Sequence, residues 1–141
     1  NYFRESWESS CFGGFLFAKE VIKRFLIEKT AGTLIFTGAS ASLRGKSNFG
    51  AFNSAKGALR NLAQALAKEY AENSIHISHV IVDGGLAGER IKQRLSDFEE
   101  RVKEGKLINI ESVTDAYMFL YNQNKDAWTF ELDVRTSQEN W

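Results

Sequence analysis

Two short apolar runs, Thr33-Leu34-Ile35-Phe36-Thr37 and Ile75 to Val82, each follow a long stretch patterned as an amphipathic helix. A strand with no polar alternation must be covered on both faces, and that is the situation of a parallel sheet sandwiched between helices. This juxtaposition, more than any other feature, confines the chain to an α/β architecture.

The helical stretches are read from their apolar spacing. From Phe3 to Lys29, Trp7, Cys11, Phe15, Ala18, Ile22, Phe25 and Leu26 recur three or four apart, and Thr30-Ala31-Gly32 supplies a glycine stop. Gly13 and Gly14 lie inside this helix; each costs about 1 kcal/mol against alanine there, so their presence predicts close packing on another backbone. A second long helix carries Phe52, Ala55, Leu59, Leu62, Leu66 and Tyr70 as its buried stripe. Between strand and helix, Gly38 to Asn48 reads as an exposed loop. Beyond Asp83-Gly84-Gly85, the mixed charges of Glu89 to Glu104 predict one solvated helix with Ile91, Leu95, Phe98 and Val102 inward. Ser112 is placed as the cap of a last helix through Tyr121, and Thr129 to Arg135 as a final strand. The expectation is one partial domain, residues 1–141, with three strands of a doubly wound parallel sheet.

Composition narrows the function classes. Eighteen basic side chains balance eighteen acidic ones, so no electrostatic footprint for nucleic acid or an anionic membrane surface is present. The longest apolar run, Cys11 to Ala18, is far too short to cross a bilayer. Cys11 is the only cysteine, which excludes an internal disulfide; with two histidines it cannot complete a zinc site, and it points to a reducing compartment, the cytoplasm. His76 and His79 stand three apart on a strand and face opposite sides, so they are read as structural and no metal is expected. The chain has no proline, its only methionine is Met118, and three strands leave unpaired edges. Together these predict that further upstream strands of the sheet lie outside this chain.

Gly32-Thr-Leu-Ile-Phe-Thr-Gly-Ala-Ser40 followed by Phe52-Asn-Ser-Ala-Lys56-Gly-Ala-Leu59 resembles the catalytic half of a short-chain dehydrogenase/reductase, and the resemblance runs from about Trp7 to the last strand. It implies a Rossmann-like doubly wound sheet and hydride transfer between NAD or NADP and a small carbonyl or alcohol substrate. In that family a serine ends a strand and a Tyr-x-x-x-Lys motif opens the next helix, so that both motif residues share a helix face. The tyrosine is the general acid, the lysine lowers its pKa and holds the nicotinamide ribose, the serine positions the carbonyl, and an asparagine in the preceding helix completes the set.

Here Lys56 matches the lysine, while Phe52 stands at the tyrosine position. The serine position falls on Ala39, with Ser40 adjacent, and the asparagine position on Ser10. The family's Pro-Gly-x-x-x-Thr segment, whose backbone receives the nicotinamide carboxamide, is Asp83-Gly-Gly-Leu-Ala-Gly88, which keeps Gly84 and the apolar Leu86. The implied site is therefore Ser40, Phe52 and Lys56 for chemistry, with Lys56, Asp83, Gly84 and Leu86 for the cofactor. It is a degenerate site: neither a phenyl ring nor Lys56 alone replaces the phenolic proton, and an unactivated hydroxyl on Ser40, Ser42 or Ser54 is a poor donor. Two look-alikes are set aside. Thr37-Gly38-Ala39-Ser40 imitates a pyrophosphate-binding turn but has Ser42 and Arg44 where the later glycines belong. A literal Tyr-x-x-x-Lys at Tyr121 to Lys125 ends the last helix, with Ile108 in place of the serine.

In this family the two long helices pair between subunits, and the small-residue stripe Ala51, Ala55, Ala58, Ala63, Ala67 permits close approach, so a homodimer or tetramer through residues 3–29 and 51–72 is expected. The readings left open are an oxidoreductase whose cofactor half lies elsewhere, with this chain alone possibly binding no cofactor, a non-catalytic relative that binds or oligomerises, and a truncated relic.

Overall fold

A computed structural model of the chain describes residues 1–139. Strands β1 (Gly32–Ala39), β2 (Ile75–Asp83) and β3 (Glu131–Arg135) form one parallel sheet in the order β1-β2-β3. The helices are α1 (Tyr2–Trp7), α2 (Gly13–Glu28), α3 (Gly50–Tyr70), α4 (Glu89–Lys92), α5 (Phe98–Lys103) and α6 (Ile110–Tyr121). The architecture is α/β, and the alternation of strand and helix expected from the apolar pattern is present.

Side chains alternate across a strand, so every second residue of β1 and β2 faces the same layer. On one face Leu34, Phe36, Ile75 and Ile77 meet Ala18 and Ile22 of α2 and Leu59 and Ala63 of α3. Gly14 lets α2 come down on this layer: a Cβ there would lie 2.7 Å from Leu59 Cδ1. Beyond the opposite face, α6 is tied to the sheet by a 2.7 Å hydrogen bond between Tyr117 Oη and Thr37 Oγ1.

Several local expectations are corrected. The first helix is interrupted by a π-turn, Glu8–Phe12, which Gly13 closes: its N–H donates to the Glu8 carbonyl five residues back. The helix ends not on Gly32 but on Lys29, in the left-handed region at φ 52°. Gly32 instead opens β1 beneath the Phe25 ring, where a Cβ would have no room. Trp7, Phe15 and Leu26 of the first stripe and Phe52 of the second, all expected to be buried, remain exposed, and Cys11 is only half-buried. The solvated helix of residues 89–104 is two short helices, with Phe98 buried and Val102 exposed. Asn109, not Ser112, caps α6; its Oδ1 accepts from Glu111 N at 2.7 Å and Ser112 N at 3.4 Å.

Candidate active site

The carboxyl ends of parallel strands, where the chain turns into the next helix, are where an open α/β sheet presents its loops. β1 ends at Ala39 and passes into a short 3-10 turn, Ser40–Ser42, in which Ser42 Oγ accepts from the Ala39 N–H at 3.2 Å. The loop that follows is folded back on α3 by Asn53, which accepts from Lys46 N at 3.1 Å and donates to the Arg44 carbonyl at 2.8 Å. Asn53 was not singled out in the sequence, although its position one residue after Phe52 puts it at the helix start where an amide can hold a loop. A cleft of about 310 Å³ results, with Ser40, Arg44, Phe49, Phe52 and Asp83 among its walls.

The structure thus brings Ser40, Phe52 and Asp83 to one cleft. Lys56, one turn after Phe52 on the same face of α3, places Nζ 5.9 Å from the Phe52 ring centroid and donates to the Thr37 carbonyl at 3.0 Å. Burial pushes the Lys56 ammonium below its ordinary pKa. Gly84 follows at φ 144°, a conformation suited to glycine. Leu86 lies farther along and pairs with Ile108, whose N–H and carbonyl bond to Gly85 O and Ala87 N at 2.8 Å each. Asp83 does more with its side chain than a backbone role suggests: its buried Oδ2 pairs with Arg44 at 3.2 Å and Arg135 at 3.3 Å, joining the loop after β1 to the end of β3.

Between α3 and strands β2 and β3 lies a network that the sequence did not disclose. Arg60 grips Glu131 with two parallel bonds of 2.6 and 2.8 Å, and Glu131 Oε2 lies 3.0 Å from His79 Nδ1. His79 is fully buried, and its Nε2 has no hydrogen-bond partner among the described residues. Burial lowers the His79 pKa, with Arg60 and Lys56 acting in the same direction and Glu131 opposing them. The Arg60 bond leads in holding Glu131 below the usual carboxylate range. His76 is buried elsewhere on β2, stacked on Trp128 at 4.9 Å, with Nε2 3.0 Å from the Thr129 carbonyl. Among the described residues no three His, Cys, Asp or Glu side chains converge on a metal position.

Residues 1–131 match the family described as enoyl-(acyl carrier protein) reductase. The fold and 36% of the sequence are shared with a short-chain dehydrogenase from Rhodopseudomonas palustris, over 95% of this chain and 51% of that one, at a TM-score of 0.72. The chain belongs to the short-chain dehydrogenase/reductase family. L-xylulose reductase of Bos taurus is 27% identical over 116 residues, 78% of this chain and 48% of that protein. A 4-hydroxyisoleucine dehydrogenase solved with NADH shares the fold at a TM-score of 0.76 and 16% identity, over 94% of this chain and 57% of that one. The chain spans about half the length of the curated relative it matches.

With short-chain dehydrogenase/reductase membership established, the three-strand sheet is a part of that family's Rossmann-like fold. The two look-alike motifs are placed as well. Thr37 to Ala39 complete β1, and Ser40 opens the 3-10 turn. Tyr121 is exposed at the end of α6, and Lys125 Nζ donates to Ser74 Oγ at 2.8 Å, away from the cleft. No helix among the described residues is long and apolar enough to cross a membrane.

Proposed function

We propose that this chain is the substrate-side portion of an NAD(P)-dependent oxidoreductase acting on a small carbonyl or alcohol. The observation that carries the reading is Lys56: a half-buried ammonium at the carboxyl end of β1, beside a cleft walled by Ser40, Phe52 and Asp83. The residues present fit the nicotinamide end of such a cofactor, which supplies the hydride carrier when bound. Lys56 exchanges the Thr37 carbonyl for ribose hydroxyls, the backbone from Asp83 through Gly84 to Leu86 receives the carboxamide, and Phe52 and Ser40 bound the substrate. The pyrophosphate-binding turn belongs to strands that would add to the edge of β1 opposite β2. Titration with NADH and NADPH, followed by nicotinamide fluorescence, tests this. Binding is expected for a polypeptide that supplies those strands, weakened by Lys56→Ala, and not for residues 1–141 alone; no binding by either form sinks the reading.

Phe52 favours a second reading, since a phenyl ring carries no transferable proton. The protein would then persist for binding or oligomerisation. Trp7, Phe12, Phe15 and Phe17 are exposed along the first helix, which packs against α3, and we place the contact of a homodimer or tetramer there. A monomer by light scattering at micromolar concentration excludes that contact. A lone thiol and small-molecule redox chemistry both accord with a cytoplasmic setting.

A further inference from the structure

β1 is an edge strand, and no strand among the described residues pairs with its outer side. The register tells which of its groups stand there. Gly32 N–H donates to the Ser74 carbonyl, so in the parallel ladder the N–H and C=O of even-numbered residues turn toward β2 and those of Thr33, Ile35, Thr37 and Ala39 turn outward. Two of these outward groups are held by side chains. Lys56 Nζ donates to the Thr37 carbonyl at 3.0 Å, and Ser42 Oγ accepts from the Ala39 N–H at 3.2 Å. Both stand where a neighbouring strand would make its main-chain bonds. A lysine is a common guard of such an edge, but Lys56 is half-buried and the Thr37 carbonyl is its only hydrogen-bond acceptor among the described residues. Once that carbonyl is taken by another donor, the ammonium must find a new partner.

We propose that Lys56 is a two-station switch worked by the β1 edge: a parallel strand from the dinucleotide half docks there, its main-chain N–H takes the Thr37 carbonyl, and the displaced ammonium turns to the cofactor position. This rests on the oxidoreductase reading above and adds what frees the lysine. Three observations identify the occupant as a strand with its own helix. β1, β2 and β3 all run parallel, and a parallel sheet is extended through helical crossovers that cover its faces. α6, fastened over β1 by the bond between Tyr117 and Thr37, leaves Met118 and Phe119 exposed, as Thr37 itself is, so there is apolar surface for such a helix to cover. The chain spans 48% and 51% of the two relatives described above, so their folds hold further chain for this position. Strand and ribose favour the same station of Lys56, so each tightens the binding of the other. The cofactor site is thereby assembled only on a sheet that is already joined.

The test is amide hydrogen exchange together with NMR of ¹³Cε-labelled lysine, on residues 1–141 and on the polypeptide that also carries the dinucleotide half, both free of nucleotide. The Lys56 resonance is identified by its loss in Lys56→Arg. In residues 1–141 the amides of Thr33, Ile35 and Thr37 should exchange freely, while those of Leu34 and Phe36 are protected. In the longer polypeptide the three outward amides should slow by about tenfold or more, and the Lys56 resonance should move before any nucleotide is added. Outward amides that still exchange freely there overturn the docking. Outward amides that slow while the Lys56 resonance stays in place until NADH is added overturn the switch, because the nucleotide then draws the lysine unaided. Protection of the same amides in residues 1–141, growing with protein concentration, gives the edge to a second copy and overturns the proposal. A protected edge and a displaced lysine in a polypeptide that fails to bind NADH uphold the displacement and overturn the oxidoreductase reading, so the two failures are told apart by the titration.

Discussion

Gly38 and His79 share a volume that admits no further carbon: a Cβ on Gly38 would stand 2.1 Å from His79 Nε2. The imidazole has nowhere to retreat, because its other nitrogen is held against Glu131. Gly38→Ala is therefore an overpacking substitution, expected to lower stability by about 1–3 kcal/mol. A urea midpoint equal to that of the unsubstituted protein would show that the ring is free to swing away.

Stability should fall on the acid side in two stages. His79 is held below its ordinary value, so as pH drops through about 6.5 the unfolded chain takes up a proton that the folded chain refuses. Glu131 is held below the usual carboxylate range, and its contribution, present above about pH 4.3, is lost as pH falls through its folded value. Denaturant midpoints measured from pH 8 to pH 3 should be level above pH 7 and then descend. His79→Gln should flatten the upper stage and leave the lower one.

Restoring the family's pattern should restore its rate. In a polypeptide with the dinucleotide half, Phe52→Tyr together with Ala39→Ser should raise carbonyl reduction by about 10²-fold, the lower end of what a positioned general acid contributes. Stopped-flow oxidation of NADH reads this directly. An unchanged rate would mean that the Lys56 ammonium, now on the Thr37 carbonyl, does not reach the new phenol.

Gly84 has a φ of 144°, and a Cβ there would come 3.3 Å from Ile108 Cδ1. Gly84→Ala adds backbone strain to a tight contact and is expected to destabilise by about 1–3 kcal/mol. Because Ile108 also anchors Gly85 and Ala87, hydrogen exchange at Ala87 should quicken in the variant.

The three strands and the two long helices were legible because each rests on many residues in one pattern; Ile75 to Val82 and the stripe from Ala55 to Tyr70 survive any single exception. Ends and breaks rest on one or two side chains, and there the sequence misleads. The charges of residues 89–104 conceal a break at 93–97, where no glycine or proline marks it. Asn109 takes the cap from Ser112 by standing three residues nearer the incoming chain. The placement of Lys56 one turn after Phe52 near the start of α3 was legible from the motif. The His79 network was not, because Glu131 lies 52 residues away in sequence and Arg60 on a different element, and only the sheet register brings them together. The available signal was chemical: a histidine in the middle of an apolar strand must find a partner.

The π-turn has a further meaning as a slip in helical phase. Successive α-helical residues advance by about 100°, so positions five apart point well away from each other, while positions four apart are neighbours. Yet Trp7 and Phe12, five apart across the turn, stack with ring centroids at 5.9 Å, and Phe12 passes the contact on to Phe15 at 6.3 Å. The wide turn absorbs one residue and keeps the aromatic column unbroken. A homologous helix one residue shorter would form the same pair in plain α geometry, so this segment carries the length of an insertion without its displacement.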